Sequence, residues 1–239
     1  MNNILILMAG EGTRMTHTNI PKPFIEFNHV PLFHHCSESF DRKDKNNHFI
    51  FVVQKKHLIY LNIFNNFIKN NYSNYSFILQ NGKKNGPVES ALEAKKIINS
   101  KKKLFILDCD QYNIFSPEKM IKFVKKNNFD GSVLVTLSED LTGSHVLSDE
   151  NNIILDINEK EKFYKYSSSG VYYWSSGKLF VKLSKKYLKN KKNNKEIFIS
   201  EIYKYAIKLN FIFLKFNSEK TLSAGDSKKY FNFIEKIYF

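Results

Sequence analysis

A glycine-rich segment near the N-terminus holds residues whose types and spacing could do chemistry. An apolar run over residues 4–8 ends in Ala9-Gly10-Glu11-Gly12-Thr13-Arg14, and Pro21-Lys22-Pro23 follows. This pattern is typical of a buried strand that ends in a tight turn at the edge of a sheet. Glycines let the backbone turn its N–H groups toward an anion, and Arg14 and Lys22 add two positive charges. The segment therefore predicts a loop that binds a polyphosphate.

Two better-known phosphate-binding loops do not fit this segment. Met15 stands where the dinucleotide-binding fingerprint needs its third glycine, and no Gly-Lys-Ser/Thr follows as in a Walker A loop. A lone Gly-x-Gly would also be compatible with an ordinary strand and turn. The complete string, with an arginine two residues after the second glycine and a Pro-Lys-Pro beyond it, favours phosphate binding.

A second group of candidate residues follows another apolar run, where residues 103–107 lead into Asp108-Cys109-Asp110. Alternation puts the two carboxylates on one side of a continuing strand. On its own the pair could equally be a solvated cap of the next turn. Mg²⁺ is usually held by one or two carboxylates together with substrate phosphates, so a phosphate loop at the same sheet edge favours a metal site.

Alternating strands and helices must position these groups. Strands are predicted at residues 4–7, 48–54, 76–79, 103–107 and 132–137, and helices at residues 32–40, 56–69, 86–98 and 117–127. Such alternation predicts an α/β fold, with a mostly parallel central sheet flanked by helices, Rossmann-like, whose ligands bind at the carboxyl ends of the strands. Shorter strands after residue 144 predict a small antiparallel part.

Composition excludes several classes of protein. The 239 residues carry a formal net charge of +14, but arginine occurs only at positions 14 and 42, and the lysine runs are typical of solvated surface rather than of a nucleic-acid interface. No apolar run reaches the roughly 20 residues of a membrane helix, and no secretion signal is evident. Two cysteines fit a cytoplasmic protein with reduced thiols. A metal site would need a third ligand at useful spacing from His34 and His35, and the sequence has none. We therefore expect these two side chains to pack on a helix or in the core.

The motifs resemble those of nucleotidylyltransferases that join a nucleoside triphosphate to a sugar 1-phosphate or a similar phosphomonoester and release pyrophosphate. The family signature, Gly-x-Gly-Thr/Ser-Arg followed by Pro-Lys-Pro-Leu/Phe, is matched at residues 10–14 and 21–24. Further segments resemble the branch found in bacterial capsule and lipopolysaccharide gene clusters, at residues 51–54, 109–112, 159–161, 169–174 and 193–198. The matches run in order through nearly the whole chain.

The resemblance implies a role for each matching residue. Met8, Ala9, Gly10, Gly12 and Thr13 would bind the nucleotide, with Arg14 and Lys22 as the catalytic cations. Gln80, Gly86, Ser90 and Asp108 would also be nucleotide-binding. Glu159, Lys160 and Gly170 would contact the acceptor, and Asp110 would hold Mg²⁺. The chain is then one domain of residues 1–239, with a nucleotide-binding half (1–140) and an acceptor-binding half with a closing helix (141–239).

Departures from the family pattern leave alternatives open. The turn at residues 86–90 reads Gly-Pro-Val-Glu-Ser instead of Gly-Thr-Ala or Gly-Ala-Ala, so the base is open, and CTP acting with a small phosphorylated headgroup is an alternative to a sugar 1-phosphate. The usual second metal ligand falls on Ser223 or, in a different alignment, on Asp226. We expect Asp226, because a carboxylate is the better Mg²⁺ ligand. Two other functions are alternatives to an enzyme: a non-catalytic regulator that binds a nucleotide, and a basic domain that binds nucleic acid. The sequence also leaves open whether the protein forms a homodimer.

Overall fold

A computed structural model describes residues 1–16, 18–139, 143–160, 163–191 and 195–238. Its strands are β1 (Asn2–Leu7), β2 (Glu26–Phe27), β3 (Val30–Pro31), β4 (Asn47–Val53), β5 (Tyr75–Leu79), β6 (Lys103–Asp108), β7 (Gln111–Ile114), β8 (Gly131–Leu137), β9 (Ser144–Ser148), β10 (Ile154–Glu159), β11 (Tyr166–Trp174), β12 (Phe213–Asn217) and β13 (Lys220–Ser223). Its helices are α1 (Leu32–His35), α2 (Leu58–Ile63), α3 (Asn65–Asn71), α4 (Pro87–Glu93), α5 (Lys95–Ile98), α6 (Pro117–Lys126), α7 (Gly177–Asn190), α8 (Ile199–Ile207) and α9 (Ser227–Tyr238).

One central sheet organises the chain, with the strand order β10-β9-β11-β6-β1-β4-β5. Strands β6, β1, β4 and β5 run parallel, as the alternation of strands and helices predicts. Strand β11 pairs antiparallel with β6, β8 and β9. The antiparallel part of the sheet therefore begins at β11. The α/β prediction is confirmed. The division into two functional halves stays a prediction.

Side-chain alternation along β1 shows why this strand is apolar on both faces. Ile4 and Ile6 pack into a core on one side of the sheet, and Leu5 and Leu7 pack into a second core on the other side. A parallel strand covered by helices on both faces must be apolar throughout, which a half-exposed strand need not be. The run at residues 4–7 thus fixes β1 in the middle of the molecule.

The register of β1 and β6 positions the two sequence motifs. Leu7, the last residue of β1, pairs with Asp108, the last residue of β6. The glycine-rich segment and the Asp108–Asp110 segment therefore leave neighbouring strands at the same edge of the sheet. This is the arrangement that parallel pairing predicts for two segments at strand carboxyl ends.

Several elements differ from their predicted bounds. The helix predicted at residues 32–40 ends at His35 and continues as turns, in which the Ser37 and Glu38 N–H groups bond to carbonyls three residues back rather than four. The helix predicted at 56–69 breaks at Phe64, and the one at 86–98 breaks at Ala94. Strands β7 and β13 were not predicted. Across the residues that the structure describes, no helix is both long and apolar enough to span a bilayer.

Candidate active site

The glycine-rich loop leaves β1 and folds back against Lys22. Gly12 adopts a left-handed φ of +68°, which favours glycine, and a Cβ placed on it would make an ordinary contact with Cβ of Lys22 at 3.5 Å. The Gln54 side chain donates to the Ala9 carbonyl and, at 3.1 Å, to the Glu11 carboxylate. Gln54 thus anchors the loop from the end of β4, a role that the sequence pattern did not assign to it.

Lys22 and Asp110 form an ion pair at the centre of the site. The Lys22 Nζ lies 2.5 Å from Asp110 Oδ2, and the two side chains are 12% and 13% exposed. The same ammonium donates to the Gly225 carbonyl at 3.3 Å. The Lys22 ammonium of the Pro-Lys-Pro motif therefore contacts two other segments, the Asp108–Asp110 segment and the segment before α9.

Electrostatic interactions fix both partners of this pair in their charged forms. Burial alone would lower the pKa of Lys22, but the Asp110 carboxylate outweighs it and the pKa of Lys22 is raised. Burial would likewise raise the pKa of Asp110, but Lys22 and then Arg14 hold it below its usual value. Arg14 is exposed at the same edge of the sheet, so its charge adds to the positive potential of the loop.

Asp108 faces Gly170 across the β6–β11 pair. Gly170 has a φ of +77°, and a Cβ on it would lie 2.9 Å from Asp108 Oδ2 and 2.7 Å from Cγ of Gln111. Burial and the nearby Asp110 and Glu159 carboxylates raise the pKa of Asp108 to about 7. A glycine at residue 170 is therefore required both by the backbone conformation and by the space that Asp108 and Gln111 occupy.

Strands β7 and β13 bring the C-terminal segment to Asp110. They pair antiparallel with Gln111 opposite Ser223, and the Ala224 N–H donates to the Asp110 carbonyl at 2.8 Å. Ser223 lies in the cleft, whereas Asp226 caps α9, its Oδ1 accepting from the Lys229 N–H at 2.8 Å. Gly225 lines the cleft and its neighbour Asp226 does not, so the role of Asp226 as a second cation ligand stays a prediction.

Gln80, Gly86 and Ser90 form the wall beyond the glycine loop. The Gln80 amide donates to the Gly82 carbonyl at 3.1 Å, while its Oε1 is buried with no partner among the described residues. Gly86 has a φ of +103°, and a Cβ there would lie 2.5 Å from the Ile197 nitrogen. This close backbone approach joins the segment before α4 to the segment before α8.

Glu159 and Lys160 form the opposite wall. The Glu159 carboxylate accepts hydrogen bonds from Ser144 and, at 3.5 Å, from Ser200, and it lies 3.4 Å from the Lys160 ammonium. Lys160 has a left-handed φ of +59°, and its ammonium stands 5.0 Å from the centre of the Phe198 ring. These contacts hold the Glu159 carboxylate and the Lys160 ammonium next to each other. The family resemblance implies that this wall contacts the acceptor.

A single cleft of about 860 Å³ contains every predicted site residue except Asp226. It extends from the glycine loop, past Lys22 and Asp110, to Glu159 and Lys160. The walls at the loop end carry Arg14, Lys83 and Lys84, of which the sequence pattern singled out only Arg14. The glycine loop and the Glu159–Lys160 pair thus line different parts of the same cleft.

Comparisons with known proteins identify the family of the chain. The sequence model described as "Nucleotidyl transferase" matches residues 3–236. A bifunctional enzyme IspD/IspF from Pelagibacter ubique (strain HTCC1062) is 26% identical over 220 residues, which are 86% of this chain and 57% of that protein. The chain thus spans little more than half the length of that relative.

Solved structures share the fold at low sequence identity. A nucleoside-diphosphate-sugar pyrophosphorylase from Vibrio cholerae RC9 superposes with a TM-score of 0.80 at 15% identity, covering 97% of this chain and 99% of that chain. The inositol-1-phosphate CTP transferase from T. maritima superposes with a TM-score of 0.75 at 18% identity, covering 99% of this chain and 96% of that one. Because the family match extends over nearly all of the chain, the protein belongs to the nucleotidyl transferase family.

Proposed function

We propose that this nucleotidyltransferase joins a nucleoside triphosphate to a sugar 1-phosphate or a similar phosphomonoester and releases pyrophosphate. The observation that carries the proposal is the Lys22–Asp110 ion pair, which lies between the glycine loop and the Glu159–Lys160 wall of one cleft. The triphosphate would lie on the backbone from Ala9 to Thr13, and the acceptor phosphate would approach from the opposite wall.

The reaction needs little covalent chemistry from the protein. An oxygen of the acceptor phosphate attacks the α-phosphorus and forms a new P–O bond, while the bond between the α-phosphorus and its bridging oxygen breaks and pyrophosphate leaves with the electron pair. The attacking oxygen is already anionic, so no general base is required. Positioning of the two phosphates and neutralisation of their charges by Arg14, Lys22 and Lys160 would then supply the catalysis.

The side chains in the cleft fit a divalent cation. Asp108 and Asp110 both line the cleft. Carboxylate oxygens are hard ligands of the kind that Mg²⁺ takes. Among the described residues no group of three or more His, Cys, Asp or Glu side chains could hold a metal alone. Substrate phosphates would complete the coordination, and bound Mg²⁺ would neutralise charge on the triphosphate.

A narrower candidate is a CTP-dependent cytidylyltransferase that acts on a small phosphorylated headgroup, phosphocholine-like or another non-sugar. Gln80 favours it, because the Gly82 carbonyl orients the amide so that the buried Oε1 is left to accept a hydrogen bond. The exocyclic amine of cytosine can donate to such an oxygen, whereas uracil presents an oxygen at the same ring position. CTP should therefore raise the melting temperature more than UTP does, since a ligand stabilises the state it binds.

The role of the product is a further part of the proposal. The motifs at residues 51–54 and 169–174 resemble the branch found in capsule and lipopolysaccharide gene clusters, which supports a role in surface polysaccharide synthesis. Loss of the gene in its own organism should then change the composition of the surface polysaccharide. An unchanged composition of the surface polysaccharide would contradict this role of the product but would not bear on the proposed reaction.

A pyrophosphate-release screen tests the reaction. CTP, UTP, GTP and dTTP are each combined with a panel of sugar 1-phosphates and small phosphomonoesters in the presence of Mg²⁺. We expect one pair to release pyrophosphate at least 100-fold faster than mixtures that lack the acceptor. Background release with every pair, together with thermal stabilisation by one triphosphate, would instead support a nucleotide-binding regulator.

A further inference from the structure

Strand β5 ends the central sheet on one side, and the part of the chain that the structure describes places no strand beyond it. At the start of β5 the Asn74 carbonyl accepts the Phe49 N–H at 3.0 Å. At its end the Gln80 N–H donates to the Val53 carbonyl at 2.8 Å. The even-numbered residues of this segment therefore bond to β4, and the N–H and C=O groups of residues 75, 77 and 79 point away from the sheet. The edge offers these groups to another strand.

The side chains of this edge are apolar and partly uncovered on one face of the sheet. Phe77 stacks on Phe51 with ring centres 5.3 Å apart, so it lies on the face that α2 and α3 cover. Strand alternation puts Leu79 on the same face, where it is 51% exposed. On this side α2 also exposes Ile59 and Ile63, which are one helical turn apart. Unpaired backbone groups and exposed apolar side chains thus occur together.

The distribution of charge makes this edge favourable for a second copy of the chain. The whole chain has a formal net charge of +14, and charged residues make up 25% of it. Residues 57–82, which include α2, α3 and β5, contain one lysine, Lys69, and no arginine, aspartate or glutamate. A second copy that approaches here meets little like-charge repulsion, although the protein is rich in lysine elsewhere. A strongly charged partner would find almost no charge to pair with.

The strand at the other end of the strand order is protected against such pairing. β10 carries the Asp156 and Glu159 carboxylates, and its register with β9 shifts between Ile154 and Asp156. Lys204 of α8 lies 3.7 Å from Asp156. Charges and irregular pairing are features that keep an edge strand from joining another chain. β5 pairs with β4 in unbroken register and contains neither a charged residue nor a proline, so it lacks this protection.

We propose that two copies of this chain associate through β5, antiparallel to each other about a twofold axis at Phe77. Phe77 then lies opposite Phe77 of the second copy, and Tyr75 of each copy lies opposite Leu79 of the other. The outward N–H and C=O groups match in this register, so each facing pair of residues exchanges both of its hydrogen bonds. Opposed residues of an antiparallel pair share a face, which brings the exposed apolar side chains of both copies together.

This arrangement leaves both clefts accessible. The cleft lies at the carboxyl ends of β1 and β6, and these strands run parallel to β4 and β5. Because the two β5 strands are antiparallel, the two clefts open at opposite ends of the continuous sheet. The association is therefore independent of the proposed reaction, and so is its test.

Sedimentation velocity of the full chain measures the association. We expect the wild type to be a dimer at about 100 μM protein. Leu79→Lys should weaken the association at least about tenfold, because each copy brings a charge into an apolar contact. Leu155→Lys is the matched control, since Leu155 is 53% exposed on β10, and it should associate as the wild type does. Thermal denaturation checks that both variants are folded.

Cysteine cross-linking measures the register. Phe77→Cys puts the new cysteines of the two copies opposite each other, with Cα atoms about 5.5 Å apart, which a disulfide can bridge. Leu79→Cys separates them by four residues along the strands, about 13 Å, which a disulfide cannot bridge. The native cysteines, Cys36 and Cys109, are buried. We expect oxidation to cross-link Phe77→Cys and to leave Leu79→Cys uncross-linked.

Four results would overturn the proposal. They are a wild type that stays monomeric at this concentration, a dimer that Leu79→Lys leaves intact, an equal weakening by Leu79→Lys and Leu155→Lys, and a cross-link in Leu79→Cys but not in Phe77→Cys. If Leu79→Lys does not fold, the cross-linking result decides, because both cysteine variants keep the edge uncharged.

Discussion

The Lys22 ammonium lies 2.5 Å from the Asp110 carboxylate, although the two residues are 88 positions apart in the chain. Lys22 comes from the segment that follows the glycine loop, and Asp110 from the end of β6. Both side chains are largely buried, so each charge depends on the other for its stability. The pair connects the segment that follows the glycine loop to the centre of the cleft.

Removing one partner of this pair should destabilise the fold. Lys22→Met leaves the Asp110 carboxylate buried without its counter-ion, which costs about 3 kcal/mol when a buried pair is broken in this way. The double variant Lys22→Met/Asp110→Asn removes both charges and should regain most of that loss. Chemical denaturation of the two single variants and the double variant measures the effect. If the double variant is no more stable than Lys22→Met, the loss of stability does not come from leaving the Asp110 charge without its partner.

Arg14 should contribute to catalysis and little to folding. Its side chain is exposed at the glycine loop, and Arg42, the other arginine of the chain, lies 3.4 Å from Glu38 and is not among the residues that line the cleft. We expect Arg14→Ala to lower kcat/KM for the triphosphate about tenfold or more, because a charge aimed at the phosphates is lost. Steady-state kinetics and thermal denaturation check this expectation.

Arg42→Ala is the matched control for the loss of one arginine. It should keep the wild-type kcat/KM. Equal losses of activity in the two variants would mean that only the overall positive charge matters, and a lowered melting temperature in Arg14→Ala would contradict its placement as an exposed side chain.

Much of this site could be predicted from the sequence, because the two motifs end strands that are apolar throughout. A run such as residues 4–7 is buried on both faces, and parallel pairing brings the residues after Leu7 and Asp108 to one edge. Asn28 and His29, which connect β2 and β3, both adopt left-handed backbone conformations, as turn residues of these types can.

The remaining parts depend on contacts that no local pattern encodes. Strands β7 and β13 are four residues each and lie more than 100 residues apart, so neither has a periodicity long enough to recognise. The pairing of β7 with β13 places Ser223 opposite Gln111, and both residues line the cleft. Whether Asp226 acts as a ligand or as a helix cap depends on where α9 begins, and helix starts are known only to within a few residues from a single sequence.

Gly170→Ala should be more destabilising than an alanine at another left-handed glycine. Gly82 has a φ of +66° and nothing within 4 Å of its Cβ position, so Gly82→Ala measures the backbone cost alone, about 1 kcal/mol. Gly170 has a similar φ of +77°, but its Cβ would press against Asp108 and Gln111. We expect the free energy of unfolding of Gly170→Ala to fall by about 2 kcal/mol or more, with additional loss of activity. Equal costs at both positions would show that Asp108 can move away.

Acid should destabilise the protein through buried histidines. Burial lowers the pKa of His34 to about 3 and that of His57 to about 4, whereas an unfolded histidine titrates near 6.5. The unfolded chain therefore binds more protons below pH 6.5, so the stability that these neutral side chains provide is complete above that pH and is lost as the pH falls toward 4. The slope should approach about 1.4 kcal/mol per pH unit for each such proton.

Replacing His34 checks the origin of this slope. His34→Leu keeps an apolar contact with Phe67 and Tyr72 and should flatten the dependence of the unfolding free energy on pH between 6.5 and 4. His29→Asn, at an exposed left-handed turn position, serves as the control and should keep the wild-type slope. An unchanged slope in His34→Leu would assign the acid sensitivity to other groups.

The most direct test of the account is the rate of pyrophosphate release by Lys22→Met, measured with the triphosphate and acceptor that the wild type prefers and at a temperature where the variant is folded. The account predicts a rate at least 100-fold below that of the wild type. It also predicts that Lys22→Met/Asp110→Asn stays equally slow although its stability is regained. A Lys22→Met variant that releases pyrophosphate at the wild-type rate would contradict the central role of Lys22 in this cleft.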